Sequence, residues 1–213
     1  MERWATFDCY GTLIDWNGGI GRELERVFGA ARAGEQLLAY HEVESEIQRE
    51  DPARSYREVM AAALARLGAP ADEQDALGRS LPGWDAFPEV PEALEQARAG
   101  GWRLAVLSNT DRDLLDASLA RIGVAFELSV VASEIGSYKP SPGHWDEFFA
   151  RTGADRDHHV HVGASLFHDI APASALGLRT IWINRLGEEA EPQPDVEQRS
   201  LAGLADNLEA LVS

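Results

Sequence analysis

ATFDCYGTLIDW, residues 5–16, runs mostly apolar as far as Phe7 and then stops at a carboxylate, Asp8. The preceding RWATF (3–7) reads as a buried strand, which puts Asp8 at its carboxyl end. Gly11 allows the tight turn that follows, and Thr12 brings a hydroxyl back toward the acid. Strand alternation turns Cys9 away from Asp8, so the thiol reads as packing. Tyr10 stands two residues on, where a second acid would make a carboxylate pair.

Working outward, WRLAVLSN (102–109), LSVVAS (128–133), HVHVGAS (159–165) and LRTIWIN (178–184) read as further buried strands. Helical patterns separate them: PEALEQARAGG (91–101), DRDLLDASLARIG (111–123) capped by Asp111, and SPGHWDEFFARTG (141–153). Ser141 reads as the cap of the last, with Pro142 in its first turn and Gly153 as its stop. This alternation predicts an α/β fold, a doubly wound Rossmann-like parallel sheet. From Gly18 to Arg79 the pattern is helical throughout and too long for a loop. It predicts an inserted helical cap over 17–81, with the core formed by 1–16 and 82–213. LPGWDAFPEVP (81–91) reads as the returning hinge, and GEEAEPQPDVEQRS (187–200) as a solvated loop.

Ligands of open α/β sheets bind beyond the carboxyl ends of the strands. Those ends carry Asp8, then Ser108, Asn109 and Thr110, then Lys139, then Asp169. Singly, each has a plain explanation: a strand-end Asp is often a helix cap, and a Lys-Pro pair is often a surface turn. Together they converge on a carboxylate nucleophile, hydroxyl and amide donors, a cation and a second carboxylate, a set that capping alone does not produce. A carboxylate nucleophile must be held ionised and shielded from water. A neighbouring Lys does the first and opposes developing negative charge.

The chain has 213 residues, enough to bury one sizeable core with a subdomain. A net charge of −17 argues against nucleic acid or an anionic membrane surface as partner. It leaves a small anionic substrate open, because a local pocket can oppose the global field. No apolar run is long enough to span a bilayer, and no basic-then-apolar leader precedes Trp4. One cysteine, Cys9, allows no internal disulfide and suits a reducing compartment, so the reading is a cytoplasmic protein. Whether it forms a homodimer is open.

FDCYGTLID, VLSNTD, SYKPSPGHW and VGASLFHDIAPASALGLRTIWINR resemble, in order, the four motifs of the haloacid dehalogenase superfamily. The resemblance implies that Asp8 is a nucleophile forming an ester that water hydrolyses. It makes Thr12, Lys139 and Asp169 the other catalytic residues, with Asp169 activating the water. Ser108 and Asn109 then bind substrate. Within the superfamily, phosphatases place an aspartate where this chain has Tyr10 and an acid where it has Ala164. Tyr10, with a usual pKa of about 10, is a poor acid for a departing alkoxide, whereas halide leaves without a proton. The chain therefore resembles the type II L-2-haloacid dehalogenase branch, which implies a 2-substituted carboxylate substrate and no cofactor. Tyr10, His41 and Trp145 become substrate-binding candidates, the last at the place of a usual tyrosine.

That branch also carries Ser and Asn where Ala164 and Leu166 stand, and a cap arginine where Tyr40-His41 stand, with Arg49, Arg54 and Arg57 nearby. These departures bring in the related hydrolases that open azetidine-2-carboxylate. A phosphatase using Mg²⁺ on Asp8 and Asp169 is a further alternative, and a non-catalytic binding module the last. His159 and His161 alternate with valines and read as strand residues rather than metal ligands. His168 reads equally as site or packing. Trp16 and Trp84, near the hinges, read equally as pocket wall or interdomain packing.

Overall fold

The computed structural model describes residues 2–212. Six parallel strands form one sheet: β1 (Arg3–Phe7), β2 (Trp102–Ser108), β3 (Leu128–Val131), β4 (His159–Gly163), β5 (Arg179–Ile183) and β6 (Val196–Gln198). Their spatial order is β3-β2-β1-β4-β5-β6, so the winding reverses between β1 and β4. That reversal opens a crevice at the carboxyl ends of these two strands, which end at Asp8 and at Ala164-Ser165.

Alternation along the strands sorts the core into two layers. Ala5, Phe7, Leu104, Val106, Val160, Val162, Ile181 and Ile183 face one side with Cys9, and Trp4, Ala105, Leu107 and Val130 face the other. Helices cover both faces, among them α5 (Val90–Ala99), α6 (Arg112–Ile122), α8 (Gly143–Thr152), α9 (Ala171–Ala175) and α10 (Leu204–Val212). A short α7 (Ala132–Ile135) follows β3 directly. The sheet is the doubly wound one the alternation predicts.

Between β1 and β2 the chain forms α1 (Trp16–Phe28), α2 (Ala30–Glu50), α3 (Tyr56–Arg66) and α4 (Ala76–Ser80), before α5 returns it to the sheet. Ser55 caps α3 in a reciprocal box with Glu58. Asp111 also serves α3: its carboxylate accepts from the backbone amides of Tyr56 and Arg57 at 2.9 and 3.0 Å. Asp111 holds the N-cap position of its own helix, α6, as expected, but makes no side-chain cap bond there. That carboxylate ties the α3 terminus to the end of β2.

Three other expectations are corrected. The 187–200 stretch contains β6, which pairs in register with β5 from Ile181 to Ile183. Its Val-Glu-Gln sequence carries no apolar run because the strand lies at the sheet edge. Ser141 does not cap α8, since the helix begins one residue later and Pro142 takes the cap position without a side-chain bond. Residues 132–133, read as strand, belong to α7.

Candidate active site

Asp8 leaves β1 with its amide still bonded to the Val162 carbonyl, so the strand register aims its side chain into the crevice. Gly11, at φ +91°, turns the chain back, and Thr12 donates to Asp8 Oδ2 at 3.0 Å. The same Thr12 oxygen accepts the Ala164 amide at 2.9 Å, joining the ends of β1 and β4 through one hydroxyl.

Lys139 arrives from the loop after α7 and is 1% exposed. Its ammonium donates to Asp8 Oδ1 at 2.9 Å, to Asp169 Oδ1 at 2.6 Å and to the Leu107 carbonyl at 2.8 Å. All three protons are thereby engaged, which is how a buried ammonium is tolerated. Asn109 fixes this loop: its carbonyl accepts the Lys139 amide at 2.7 Å, and its amide donates to the Lys139 carbonyl at 3.0 Å. Asn109 lines the cavity, with one amide proton and its carbonyl engaged by the Lys139 backbone. The Ser108 hydroxyl, at the end of β2, is buried beside the cavity with no partner among the described residues.

Asp169 sits on a wide π-type turn, Leu166–Ile170, whose amides fold back on Ser165. Gly163 makes room for it, since a Cβ there would lie 2.5 Å from that of Asp169. Beneath it lies a polar relay that the sequence reading missed. His161 Nε2 is 3.3 Å from Asp169 Oδ1, and His161 Nδ1 and His159 Nε2 are each 2.9 Å from Thr6 Oγ1. An ionised carboxylate only accepts, so His161 donates to Asp169, Thr6 donates to His161, and His159 donates to Thr6. The i, i+2 spacing in HVHV was the available signal: it puts both rings on the sheet face that carries Thr6.

The charges divide unequally. Burial pushes the Asp8 carboxyl up, Lys139 opposes this, and the negative charge of Asp169 pushes it up further. At Asp169 burial is outweighed by Lys139 and His161, which hold it well below the usual carboxylate range. Asp169 is the permanent anion of the pair, and Asp8 is the group whose charge depends on Lys139. Burial raises the Tyr10 phenol above its ordinary value, and its hydroxyl is 3.0 Å from Ser118 Oγ. Tyr10 also stacks with Tyr56, their ring centres 6.2 Å apart, forming wall rather than acid.

These groups open into a cavity of about 460 Å³, lined also by Trp16, His41, Glu44 and Arg185. His41 packs on Trp16 with ring centres 4.6 Å apart. Arg185, which the sequence reading passed over, donates to the Gly11 and Thr12 carbonyls at 3.3 and 2.9 Å and pairs with Glu89 at 2.8 Å. It braces the turn that follows Asp8.

Trp145 is not at the cavity. It is fully buried under the sheet with Trp4, Leu107 and Phe148, its ring against that of His161. The α8 register that turns it inward places it behind the catalytic layer, so its candidacy as a substrate contact falls. The three arginines near Tyr40-His41 in sequence are engaged elsewhere: Arg49 bonds the Ser45 carbonyl, Arg54 pairs with Asp51, and Arg57 pairs with Asp113. Tyr40 is buried and does not line the cavity. Cys9 lies in the core, away from Asp8.

The donor set does not suit Mg²⁺. Both Oδ1 atoms of the two carboxylates meet the Lys139 ammonium, Asp8 Oδ2 receives Thr12, and Asp169 Oδ2 receives the Ser165 amide at 3.3 Å. Each carboxylate oxygen thus already meets a donor, and position 164 supplies only a methyl group where a further carboxylate would complete a cation site. Among the described residues no group of three or more His, Cys, Asp or Glu is arranged for a metal. No helix among them is long and apolar enough to cross a membrane.

Comparison with known proteins bears on the family and the fold. The haloacid dehalogenase-like hydrolase family matches residues 3–177. The (S)-2-haloacid dehalogenase of Pseudomonas sp. strain YL is 29% identical over 220 residues, covering 95% of this chain and 93% of its own. The (S)-2-haloacid dehalogenase 4A of Burkholderia cepacia is 26% identical over 199 residues, covering 89% and 86%. The solved L-2-haloacid dehalogenase of Xanthobacter autotrophicus shares the fold with a TM-score of 0.82 at 18% identity, covering 98% of this chain and 99% of that one.

Proposed function

The chain belongs to the haloacid dehalogenase-like hydrolases, and from that premise we propose that it displaces a leaving group, most simply halide, from the α-carbon of a small 2-substituted carboxylate. The observation that carries the reading is Tyr10. Its hydroxyl is tied to Ser118 and its pKa is raised, so the position that would protonate an alkoxide offers no acid. Halide needs none.

In the proposed cycle the substrate carboxylate docks at the unpartnered Ser108 hydroxyl, with His41 on the cap wall formed by the helices over 17–81. Asp8, kept ionised by Lys139 and aimed by Thr12, attacks the α-carbon from the face opposite the leaving group. The new C–O bond forms an Asp8 ester, and the halide departs with its electron pair. Water then adds to the ester carbonyl, whose oxygen Lys139 stabilises. Asp169 orients that water, taking its proton only as it passes to the departing alkoxide, since a strongly depressed pKa makes it a weak base. The products are a 2-hydroxy acid of inverted configuration, halide and a proton, with Asp8 restored. The cycle asks for no metal or cofactor. The single thiol, Cys9, fits a cytoplasmic setting.

The test is halide release from L-2-chloropropionate in buffer containing EDTA, with Asp8→Asn as control. Release that the variant abolishes supports the reading. A phosphate ester cleaved only with Mg²⁺, with no halide released, would replace it.

A further inference from the structure

Helix α2 presents His41, Glu44, Ser45 and Gln48 to the cavity, the i, i+3, i+4, i+7 face of one helix. A plain haloalkanoate would ask this wall for apolar side chains around its alkyl end. The wall is polar instead, and it contains a carboxyl. Glu44 is 6% exposed, and its Oε1 accepts the Tyr40 hydroxyl at 3.4 Å. No Lys, Arg or His among the described residues offsets its charge; Tyr56 and Tyr40 hydrogen-bond it, and burial outweighs both.

The cations of the same cavity are engaged elsewhere. Lys139 serves Asp8, Asp169 and the Leu107 carbonyl, and Arg185 serves Glu89 and the turn at Gly11 and Thr12. His41 does not replace them, since burial lowers its pKa and favours the neutral ring. A carboxyl buried without a cation is costly, and its persistence in a ligand cavity points to a partner that arrives with the ligand. The cavity has room for one. Its 460 Å³ is about fifteen waters' worth of liquid, of which a three-carbon acid takes a fraction.

We propose that Glu44 is the specificity-determining residue of this cavity, and that it receives an amine or ammonium nitrogen carried on the substrate beyond the reacting carbon. The substrates are then 2-substituted carboxylates with a nitrogenous tail, preferred over plain 2-haloalkanoates. This rests on the proposed chemistry at Asp8 for the carboxylate end, and on Glu44 alone for the tail. Burial, only partly offset by the hydrogen bonds of Tyr56 and Tyr40, pushes the carboxyl up to about 7.

Unreactive ligands test this without turnover. Calorimetry compares 3-aminopropionate with propionate and 4-aminobutyrate with butyrate, on the wild type and on Glu44→Gln and Glu44→Leu. The wild type is expected to favour at least one amino acid over its nitrogen-free counterpart by about tenfold, the scale of one charged hydrogen bond. Both variants lose that preference, and Glu44→Leu binds butyrate more tightly than the wild type does. Equal wild-type affinities within both pairs overturn the proposal, as does a preference that survives in both variants. Absence of halide release from chloropropionate would refute the chemistry at Asp8 and is read in a separate assay, so the two failures are distinguishable.

Discussion

Replacing Lys139 with Gln removes the charge that both active-site carboxylates share. Their Oδ1 atoms are 2.9 and 2.6 Å from one nitrogen and so lie no more than 5.5 Å apart. Their repulsion is present in the wild type as well; what the variant loses is the ammonium's attraction for Asp8, up to about 6 kcal/mol for unit charges 2.9 Å apart at an effective dielectric of about 20. That energy amounts to about four pKa units. The proton that relieves the conflict goes to Asp8. Asp169 keeps His161 and the Ser165 amide as donors, whereas Asp8 keeps only Thr12. Protonation removes the nucleophile, so the variant is inactive at low pH and recovers as pH rises through the new value. The assay is single-turnover halide release across about pH 5 to about pH 10, with circular dichroism to confirm that the variant folds. The acid limb of the profile should move up, by as much as about four pH units, relative to the wild type. A uniform loss at every pH with an unmoved limb would refute the electrostatic argument and leave Lys139 a merely structural role.

Tyr10→Phe removes one hydrogen bond and no proton donor, so halide release should stay within about tenfold of wild type; a thousandfold loss would make Tyr10 a participant. Glu44→Gln should stabilise the protein with a definite pH dependence. A raised folded-state pKa in an acid opposes folding above the unfolded value of 4.5, and the penalty grows until about pH 7. Urea unfolding should show a gain of up to about 3 kcal/mol at about pH 8 and almost none near pH 4, and parallel profiles would contradict this. Trp145→Phe should lower stability by about 1–3 kcal/mol while leaving KM unchanged, because the ring packs beneath the sheet; a raised KM would restore it to the substrate wall.

The sheet was legible because its strands are buried on both faces, so short β-branched runs between helical patterns mark them with little competition. Strand β6 escaped because an edge strand needs no apolar face, and VEQ carries none. The strand-end rule located Asp8, Ser108, Lys139 and Asp169, since a parallel sheet brings its carboxyl ends together whatever the loops do. It could not reveal that the Asn109 amide bonds the Lys139 backbone, because that depends on loop conformation. Trp145 was misplaced for a related reason: motif spacing fixes a residue's distance along the chain but not which way a helix turns it. His161 and Glu44 were hidden by their surroundings. A histidine among valines and a glutamate on a charged helix look ordinary until burial shows what each must bond.

The most direct test of covalent catalysis at Asp8 is one turnover in ¹⁸O-labelled water, with enzyme in excess over L-2-chloropropionate. Mass spectrometry then follows the label in the lactate and in the peptide containing Asp8. Attack by Asp8 on carbon, followed by water on the ester carbonyl, puts ¹⁸O into the Asp8 carboxylate and leaves the first lactate unlabelled. Labelled lactate with an unlabelled Asp8 would mean that water attacks the substrate directly, and the account of Asp8 as nucleophile would be wrong.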